Sequence, residues 1–421
     1  MSGAVRLGIE YLLADGPAGR HRLGLLSNQA AILPDGVAVW RALLRAGFPL
    51  ARLFAPEHGF AGRAQDAVEV SDERLGDLEV VSLYGKRNRP EPHHLTDLDA
   101  VVIDIQDVGC RYYTYLYSAA AVIEECLRHG VEPIVCDRPN PIGAVKVEGG
   151  GLAPEAESEV GGYGLAQRHG LTIGEFARYL QHHYLVTEEV AGSNGADRAE
   201  RASGGVGYDS GVTIHWMGGY RREMLYGDTR LPWKQPSPNL PHPETALVYP
   251  GTCLFEGTNI SEGRGTTRPF ETIGAPWIDG ERLREELSHR GLPGVVFSSV
   301  EFTPTFSAFA NRPCGGVQLH VTDPESFLPL YTGVVLLDAV RRQDPERFDW
   351  RPLWEDETRS FVDLLAGGSE FRGRVDAGAD TEELYDVISR DGNLFLRRRE
   401  AALQYGRTTE VTPRSSENGG R

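Results

Sequence analysis

Short apolar runs alternate with amphipathic stretches along the first half of the chain, and this alternation restricts the fold more than any other feature. Buried strands are predicted at residues 22–28, 50–55, 79–84, 100–105, 132–136 and 212–217. Helices are predicted by apolar spacing at residues 37–46, 112–129 and 171–183. Strands that alternate with helices form a parallel sheet, because each crossover returns the chain in the same direction. The sequence therefore predicts an α/β fold with a Rossmann-like layered N-terminal domain.

The second half of the chain has a less regular pattern and predicts a smaller α/β (α+β) C-terminal domain. Residues 231–276 are rich in Pro and Gly and predict a long loop region, whose aromatic residues argue against disorder. Beyond this region, helices are predicted at 279–290, 327–342 and 381–399, and strands at 294–302 and 316–321. The predicted domains are 1–230 and 231–405, with an exposed loop at 191–211 and a flexible tail at 406–421.

Charge and composition exclude several classes of protein. The chain has 43 Lys and Arg against 60 Asp and Glu, and the resulting net charge of −17 disfavours a nucleic-acid partner. No apolar run reaches the roughly 18 residues that a membrane span needs. Five widely spaced cysteines without a C-x-x-C pair are poor material for disulfides or a zinc knuckle. Because the N-terminus shows no secretion signal, we predict a cytoplasmic protein whose partner is a small molecule and whose oligomeric state the sequence does not set.

The segment APEHGF, residues 55–60, places an acid and an imidazole directly after a predicted strand. In a parallel sheet, binding sites lie at the carboxyl ends of the strands. A carboxylate there can act as a general acid or base when its surroundings adjust its pKa. Glu57 is therefore a catalytic candidate, with His58 beside it. The competing interpretation is an ordinary loop glutamate and a hydrogen-bonding histidine.

The segment DIQDVGCRYYTY, residues 104–115, follows another predicted strand and is denser in polar groups. Two of its carboxylates, Asp104 and Asp107, are further catalytic candidates. Its amide, guanidinium and phenol groups are typical of a sugar or small-anion pocket, and the candidates for binding are Gln106, Arg111, Tyr113 and Tyr115. The competing interpretation is that Asp104 caps the next helix while the tyrosines pack beneath it.

Two further polar segments supply binding candidates. The segment DRPNP, residues 137–141, holds Asn140 on a backbone stiffened by proline, although a structural turn explains it equally well. The glycine-rich residues 256–271 carry the candidates Asn259, Glu262 and Arg264. The glycines match neither a Walker A loop nor a dinucleotide fingerprint, so no cofactor is predicted. No metal is predicted either: the candidates His58, His93, His94, Asp104 and Asp107 show no H-x-x-x-H spacing, and a divalent ion bound by carboxylates is the competing interpretation.

Taken together and in this order, several segments resemble the exo-β-N-acetylmuramidase family (NamZ type), formerly catalogued as a bacterial domain of unknown function. The most specific are LFAPEHGF, DIQDVGCRYYTY, LPWKQPSPNLP and EGTNISEGRGTTRPFETIGAPW. The resemblance runs from about residue 6 to residue 405. It implies a glycoside hydrolase that removes single N-acetylmuramic acid residues from the non-reducing ends of peptidoglycan fragments. It also implies a site in the cleft between two domains, with Glu57 matching the family's catalytic acid.

The chemistry of such a substrate suits the candidate residues. Arg111 and Arg264 can bind the lactyl carboxylate, because a guanidinium fork contacts both oxygens. Amide side chains can bind hydroxyl and acetamido groups, and the candidates are Gln106, Asn140 and Asn259. Aromatic faces such as Tyr113 and Trp233 can stack on the sugar ring.

The reaction mechanism stays open at the level of sequence. Glycosidases usually employ two carboxylates, and Asp104, Asp107 and Glu262 compete for the second role beside Glu57. The 2-acetamido group of the substrate could instead act as the nucleophile. Two other functions also fit the motifs: a metal-assisted amidase or esterase acting on muropeptides, and a non-catalytic muropeptide-binding protein.

Overall fold

A computed structural model describes residues 4–65, 68–187, 207–208, 211–353 and 356–406. The predicted exposed loop at 191–211 lies outside the described residues apart from 207–208 and 211. The predicted tail at 406–421 lies outside them apart from its first residue.

A seven-stranded sheet forms the centre of the N-terminal domain. Its strands are β1 (Leu23–Leu26), β2 (Leu50–Ala55), β3 (Glu73–Leu75), β4 (Leu78–Ser82), β5 (Ala100–Ile103), β6 (Glu132–Cys136) and β9 (Thr213–His215). They lie in the order β3-β4-β2-β1-β5-β6-β9. Every neighbouring pair is parallel except β3 and β4. The predicted layered α/β fold is therefore confirmed, with an antiparallel strand added at one edge. A separate parallel pair joins β7 (Val186–Thr187) to β8 (Gly207–Tyr208).

The order of the parallel strands determines where a site can form. Counted in chain order without β3, the six parallel strands lie in the sequence 3-2-1-4-5-6 across the sheet. The direction of winding reverses between β1 and β5, and the loops that leave the carboxyl ends of these strands diverge at that point. A crevice opens there in doubly wound sheets. The loops after β1, β2 and β5 are consequently the segments best placed to form a pocket.

Helices cover both faces of the sheet. They are α1 (Gly8–Asp15), α2 (Val39–Arg45), α3 (Tyr115–Arg128) and α4 (Ile173–His183). Alternate strand residues belong to two hydrophobic clusters, as the period of two along a strand requires. Leu25 and Leu53 pack in the cluster of α1 and α2, whereas Leu26 and Phe54 pack in the cluster of α3 and α4. The predicted capping box of α4 is confirmed, because the Thr172 hydroxyl accepts from the Glu175 amide at 3.2 Å.

The C-terminal domain is smaller and of mixed α+β construction. Its helices are α5 (Pro243–Thr252), α6 (Gly280–Arg290), α7 (Pro329–Gln343), α8 (Phe361–Ala366), α9 (Glu370–Asp376), α10 (Thr381–Ile388) and α11 (Gly392–Glu400). Its strands are β10 (Thr272–Ala275), β11 (Val295–Phe302), β12 (Cys314–Val321), β13 (Pro352–Leu353) and β14 (Asp356–Ser360). An antiparallel sheet in the order β10-β12-β11 packs against α6, and β13 pairs with β14.

Two helical segments differ from the sequence prediction. Helix α5 lies inside 231–276, which the sequence predicted to be a loop region. Residues 245–252 are all buried, and a helix buried on every side lacks the polar face on which helical periodicity depends. The helix predicted at 381–399 is two helices, α10 and α11, because Asp391 adopts a left-handed φ of 65° between them.

Helices α5 and α7 approach each other closely through two glycines. A Cβ atom on Gly333 would lie 2.4 Å from the carbonyl oxygen of Gly251, and one on Gly251 would lie 1.9 Å from that of Pro329. Real Cβ atoms do not tolerate such distances from backbone. The two helices can therefore pack at this distance only while both positions are glycine.

We expect Gly333→Ala to lower the free energy of unfolding by about 2 kcal/mol or more, because the added methyl group must push two backbones apart. Urea denaturation followed by circular dichroism measures this change. The control is Gly373→Ala at an exposed position of α9, where the new methyl group would meet nothing within 4 Å beyond its own stretch of helix. That change should raise stability by about 0.5–1 kcal/mol through helix propensity. Equal effects of the two substitutions would contradict the packing argument.

Candidate active site

Residues of both domains line a cavity of about 680 Å³. The N-terminal domain contributes Glu57, His58, Tyr113 and Thr114 from the loops after β2 and β5. The C-terminal domain contributes Glu256, Arg264, Phe270 and Arg351 among others. The cavity thus lies at the carboxyl ends of the parallel strands, where the reversal in strand order opens the sheet.

The loop after β2 holds Glu57 on the cavity wall. Two consecutive residues, His58 and Gly59, adopt left-handed φ values of 69° and 75° and reverse the chain. Glycine accepts this conformation readily, whereas histidine adopts it at a cost of about 1 kcal/mol. The Glu57 side chain is only 6% exposed, and its Oε2 accepts a hydrogen bond from the Thr114 hydroxyl at 2.8 Å. A carboxylate of fixed orientation therefore faces the cavity.

The His58 ring supports this turn from within. Its Nδ1 lies 3.0 Å from the carbonyl oxygen of Ala64, so this nitrogen carries the hydrogen and donates it. The ring also lines the cavity. His58 therefore closes the loop that carries Glu57 and is itself part of the cavity wall.

Tyr115 lies outside the cavity wall and supports it. Its hydroxyl donates to the carbonyl oxygen of Pro236 at 2.6 Å and accepts from the Asn28 amide at 2.8 Å. It also lies 3.4 Å from the carbonyl oxygen of Glu57. Burial raises the pKa of the Tyr115 hydroxyl, so the phenol stays neutral. Tyr115 is therefore a junction between loops, and the structure gives it no contact with the cavity.

The two aspartates that were candidates for catalysis do not line the cavity. Asp104 is fully buried and forms an ion pair with Arg138. Burial raises the pKa of Asp104, and the Arg138 guanidinium opposes that rise. Asp107 accepts from the Gly109 amide at 2.7 Å and lies 3.4 Å from Nε2 of His169. Both carboxylates are thus committed to groups inside the domain.

The three predicted amide side chains also bond to the backbone, and none of them lines the cavity. Gln106 donates to the carbonyl oxygens of Asp107 and Pro139 at 2.7 and 2.8 Å. Asn140 donates to a backbone carbonyl oxygen at 3.0 Å, and Asn259 to another at 2.7 Å. These residues fix the shape of their loops.

Arg111 lies inside the protein, where it joins the two domains. Its side chain is fully buried, and Nη1 donates to the carbonyl oxygens of Gly150 and Leu165 at 3.2 and 3.1 Å. Nη2 donates to the carbonyl oxygen of Leu365, in α8, at 2.6 Å. Burial lowers the pKa of this guanidinium. The structure therefore places Arg111 away from any substrate carboxylate in the cavity.

Arg264 does line the cavity, within a cluster of charges. Its Nη2 lies 3.0 Å from Oε1 of Glu256, and its Nε lies 2.9 Å from Oε1 of Glu262. Glu262 is not part of the cavity wall, whereas Glu256 and Arg351 are. The sequence candidates include neither Glu256 nor Arg351. Glu256 is the first residue of the glycine-rich segment 256–271, so the signal that singled out Glu262 applies to it equally.

Aromatic side chains form much of the remaining wall. Tyr112 and Tyr113 line it, and burial raises the pKa of both hydroxyls well above the usual range. Tyr249 packs edge-on against Phe270 with ring centroids 4.7 Å apart, and both rings line the cavity. Trp233, a predicted stacking residue, packs instead against Tyr226 at 4.8 Å and does not line it.

Two further features bear on the chemistry of the site, a buried cysteine and a group of possible metal ligands. Cys253 lines the cavity, but burial raises the pKa of its thiol well above the usual range, which disfavours the thiolate needed for nucleophilic attack. Among the described residues, one group of three could hold a metal ion, formed by Glu91, His93 and His94. None of these three residues lines the cavity.

We expect Arg111→Met to lower the free energy of unfolding by about 3–5 kcal/mol, because three buried carbonyl oxygens lose their donor. Urea denaturation measures the loss. The matched control is Arg397→Met on the exposed face of α11, which should change stability by less than about 0.5 kcal/mol. A variant that keeps full stability but loses affinity for an anionic ligand would instead support a binding role for Arg111.

One bacterial enzyme and two solved structures are similar to this chain over nearly its whole length. The peptidoglycan β-N-acetylmuramidase NamZ of Bacillus subtilis is 39% identical over 409 residues, which cover 95% of this chain and 91% of that protein. Two crystal structures of DUF1343 family proteins from Bacteroides fragilis each cover 96% of this chain. They align with TM-scores of 0.81 and 0.72 at 29% and 27% identity, over 99% and 100% of their own lengths.

Among the described residues, no helix combines the length and the apolar character that a membrane span requires.

Family models for the two domains of exo-β-N-acetylmuramidase NamZ match this chain in order, the N-terminal model over residues 23–244 and the C-terminal model over 247–405. Together they span nearly all of the described structure. The chain belongs to the exo-β-N-acetylmuramidase NamZ family of glycosidases.

Proposed function

We propose that this protein is an exo-acting glycoside hydrolase that releases N-acetylmuramic acid from the non-reducing end of peptidoglycan fragments, with Glu57 as the general acid. One observation carries the role of Glu57. Of the carboxylates predicted for catalysis, Glu57 alone lines the cavity, and the Thr114 hydroxyl holds its Oε2 at 2.8 Å. Release of single sugars also suits a role in cell-wall recycling.

The size and walls of the cavity support this substrate. A volume of about 680 Å³ lies within the range of small-molecule sites. Aromatic rings such as Tyr113 and Tyr249 offer flat surfaces to a sugar ring. Arg264 and Arg351 place guanidinium groups on the wall for the lactyl carboxylate, which distinguishes muramic acid from glucosamine. The Arg264 guanidinium is shared with Glu256 and Glu262.

The reaction follows from the position of these groups. Glu57 donates its proton to the glycosidic oxygen while the bond between that oxygen and the anomeric carbon breaks, and water then completes the hydrolysis at that carbon. Among the described residues, Glu57 and Glu256 are the buried carboxylates on the cavity wall. Glu256 therefore replaces Asp104, Asp107 and Glu262 as the second carboxylate. It stabilises the positive charge that develops on the sugar, directly or by orienting the substrate's acetamido group.

We expect Glu57→Gln to lower kcat on a MurNAc–GlcNAc disaccharide by about 10²–10⁴-fold, because the amide cannot protonate a sugar leaving group. A dinitrophenyl β-N-acetylmuramide should lose far less, because its leaving group departs without a proton. Initial rates on both substrates measure this difference. The control is Glu73→Gln on the exposed strand β3, which should match wild type.

The same assay separates the alternatives. Equal losses of rate on both substrates would contradict a general-acid role for Glu57. Loss of activity with a chelator would favour the metal-assisted amidase or esterase, and binding without turnover would favour the non-catalytic protein. The glycosidase proposal predicts that the chelator changes nothing and that the matching N-acetylglucosaminide is not cleaved.

We expect Thr114→Val to lower kcat about tenfold, because Glu57 loses the hydrogen bond that orients its carboxylate. Thr114→Ser keeps the hydroxyl and should retain most of the activity. Steady-state kinetics with thermal unfolding of both variants measures the effect. If the serine variant loses as much activity as the valine variant, the Thr114 hydroxyl does not orient Glu57.

A further inference from the structure

A second cavity, of about 460 Å³, opens beside the catalytic one. The two cavities share Tyr84, Asn88, Thr114, Ser158 and Glu159 on their walls. Beyond this shared part, the second cavity is walled by helix α3, by Glu157 and by residues 161–163, with Tyr184 at its rim. A ligand in the catalytic cavity can therefore continue into the second one without leaving the protein surface.

The position of Thr114 relates the second cavity to the reaction. Thr114 faces both cavities and donates its hydroxyl hydrogen to Glu57. Glu57 itself lines the catalytic cavity and not the second one. A general acid must contact the oxygen that joins the departing group to the sugar being released. The second cavity begins at Thr114, so a departing group on this side of Glu57 would enter it.

The walls of the second cavity suit a sugar. The rings of Tyr117 and Tyr163 are nearly parallel, with an interplanar angle of 13° and centroids 6.2 Å apart. Tyr184 meets Tyr163 edge-on at 5.1 Å and is 38% exposed at the rim. Aromatic faces bind the apolar face of a sugar ring. Asn88 and Ser158 add polar groups for its hydroxyls.

The charges around this cavity favour an uncharged sugar. Among the described residues that line it, the one cation is Arg89, which is 2.8 Å from Glu125 and 3.8 Å from Glu124. Glu157 and Glu159 add two exposed negative charges. The lining cation is already paired with glutamates, so a second muramic acid or an acidic peptide would find less favourable partners here than a neutral sugar would. N-acetylglucosamine carries no charge.

A third cavity, of about 470 Å³, offers a contrast on the other side of the catalytic one. It shares Glu256, Arg264 and Arg351 with the catalytic cavity and adds the partly exposed ring of Phe306, but it contains neither Glu57 nor Thr114. It therefore does not reach the general acid.

From the shared Thr114 wall, the tyrosine rings and the charge balance, we propose that the second cavity binds the leaving sugar, an uncharged N-acetylhexosamine. The proposal rests on the proposed function and deepens it. Under this proposal, residues outside the catalytic cavity cause the preference for muramides that are linked to a further sugar. These residues are Tyr117, Ala121, Tyr163 and Tyr184.

Two variants of the second cavity test the proposal. Tyr184→Ala removes the ring at the rim, and Ala121→Phe fills space from α3. For each variant, kcat/KM is measured on the MurNAc–GlcNAc disaccharide and on an aryl β-N-acetylmuramide that lacks a leaving sugar. We expect the disaccharide value to fall about fivefold to tenfold while the aryl value changes less than about twofold. The ratio of the two values is independent of the folded fraction, so loss of stability cannot imitate the result.

The matched control is Phe306→Ala, since Phe306 is 38% exposed like Tyr184 but lines the third cavity. Its ratio should equal that of wild type. An unchanged ratio in both Tyr184→Ala and Ala121→Phe would overturn the proposal, as would a fall confined to Phe306→Ala. Wild type that cleaves neither substrate would refute the proposed function itself, which is a separate outcome.

Discussion

The geometry of the site depends on the hydrogen bonds of the Tyr115 hydroxyl. This hydroxyl joins the start of α3, where the loop after β5 ends, to Asn28, in the loop after β1, and to Pro236, in the segment that enters the C-terminal domain. It also lies against the backbone of Glu57, in the loop after β2. Three loops that leave the sheet at the reversal in strand order are thereby fixed to one another. The Glu57 carboxylate is held in place before substrate arrives, which is the condition for efficient electrostatic catalysis.

The two domains form a single structural unit around this junction. One hydrophobic cluster runs from the α3 and α4 face of the sheet through α5, α7 and α8. Buried arginines reinforce it: Arg111 reaches Leu365, and Arg399 reaches the carbonyl oxygens of His169 and Gly170, both at 2.9 Å. A continuous packed core therefore joins the cavity walls that come from the two domains.

The sequence predicts the parts of this structure that depend on local pattern. Alternating strands and helices predict the sheet, and the acid that follows β2 predicts a site at Glu57. The pattern does not distinguish a polar side chain that faces a pocket from one that bonds to distant backbone. Arg111 is the clearest case, because its partner Leu365 is 254 residues away. Helix α5 is a second case, because its complete burial removes the amphipathic period.

The most direct test of the account is a crystal structure of Glu57→Gln with the MurNAc–GlcNAc disaccharide. The account predicts muramic acid in the catalytic cavity, with its carboxylate toward Arg264 and Arg351 and the glucosamine toward Tyr184. The glycosidic oxygen should lie within hydrogen-bond distance of the amide at position 57. A disaccharide whose glycosidic oxygen faces Glu256, with position 57 out of contact, would contradict it.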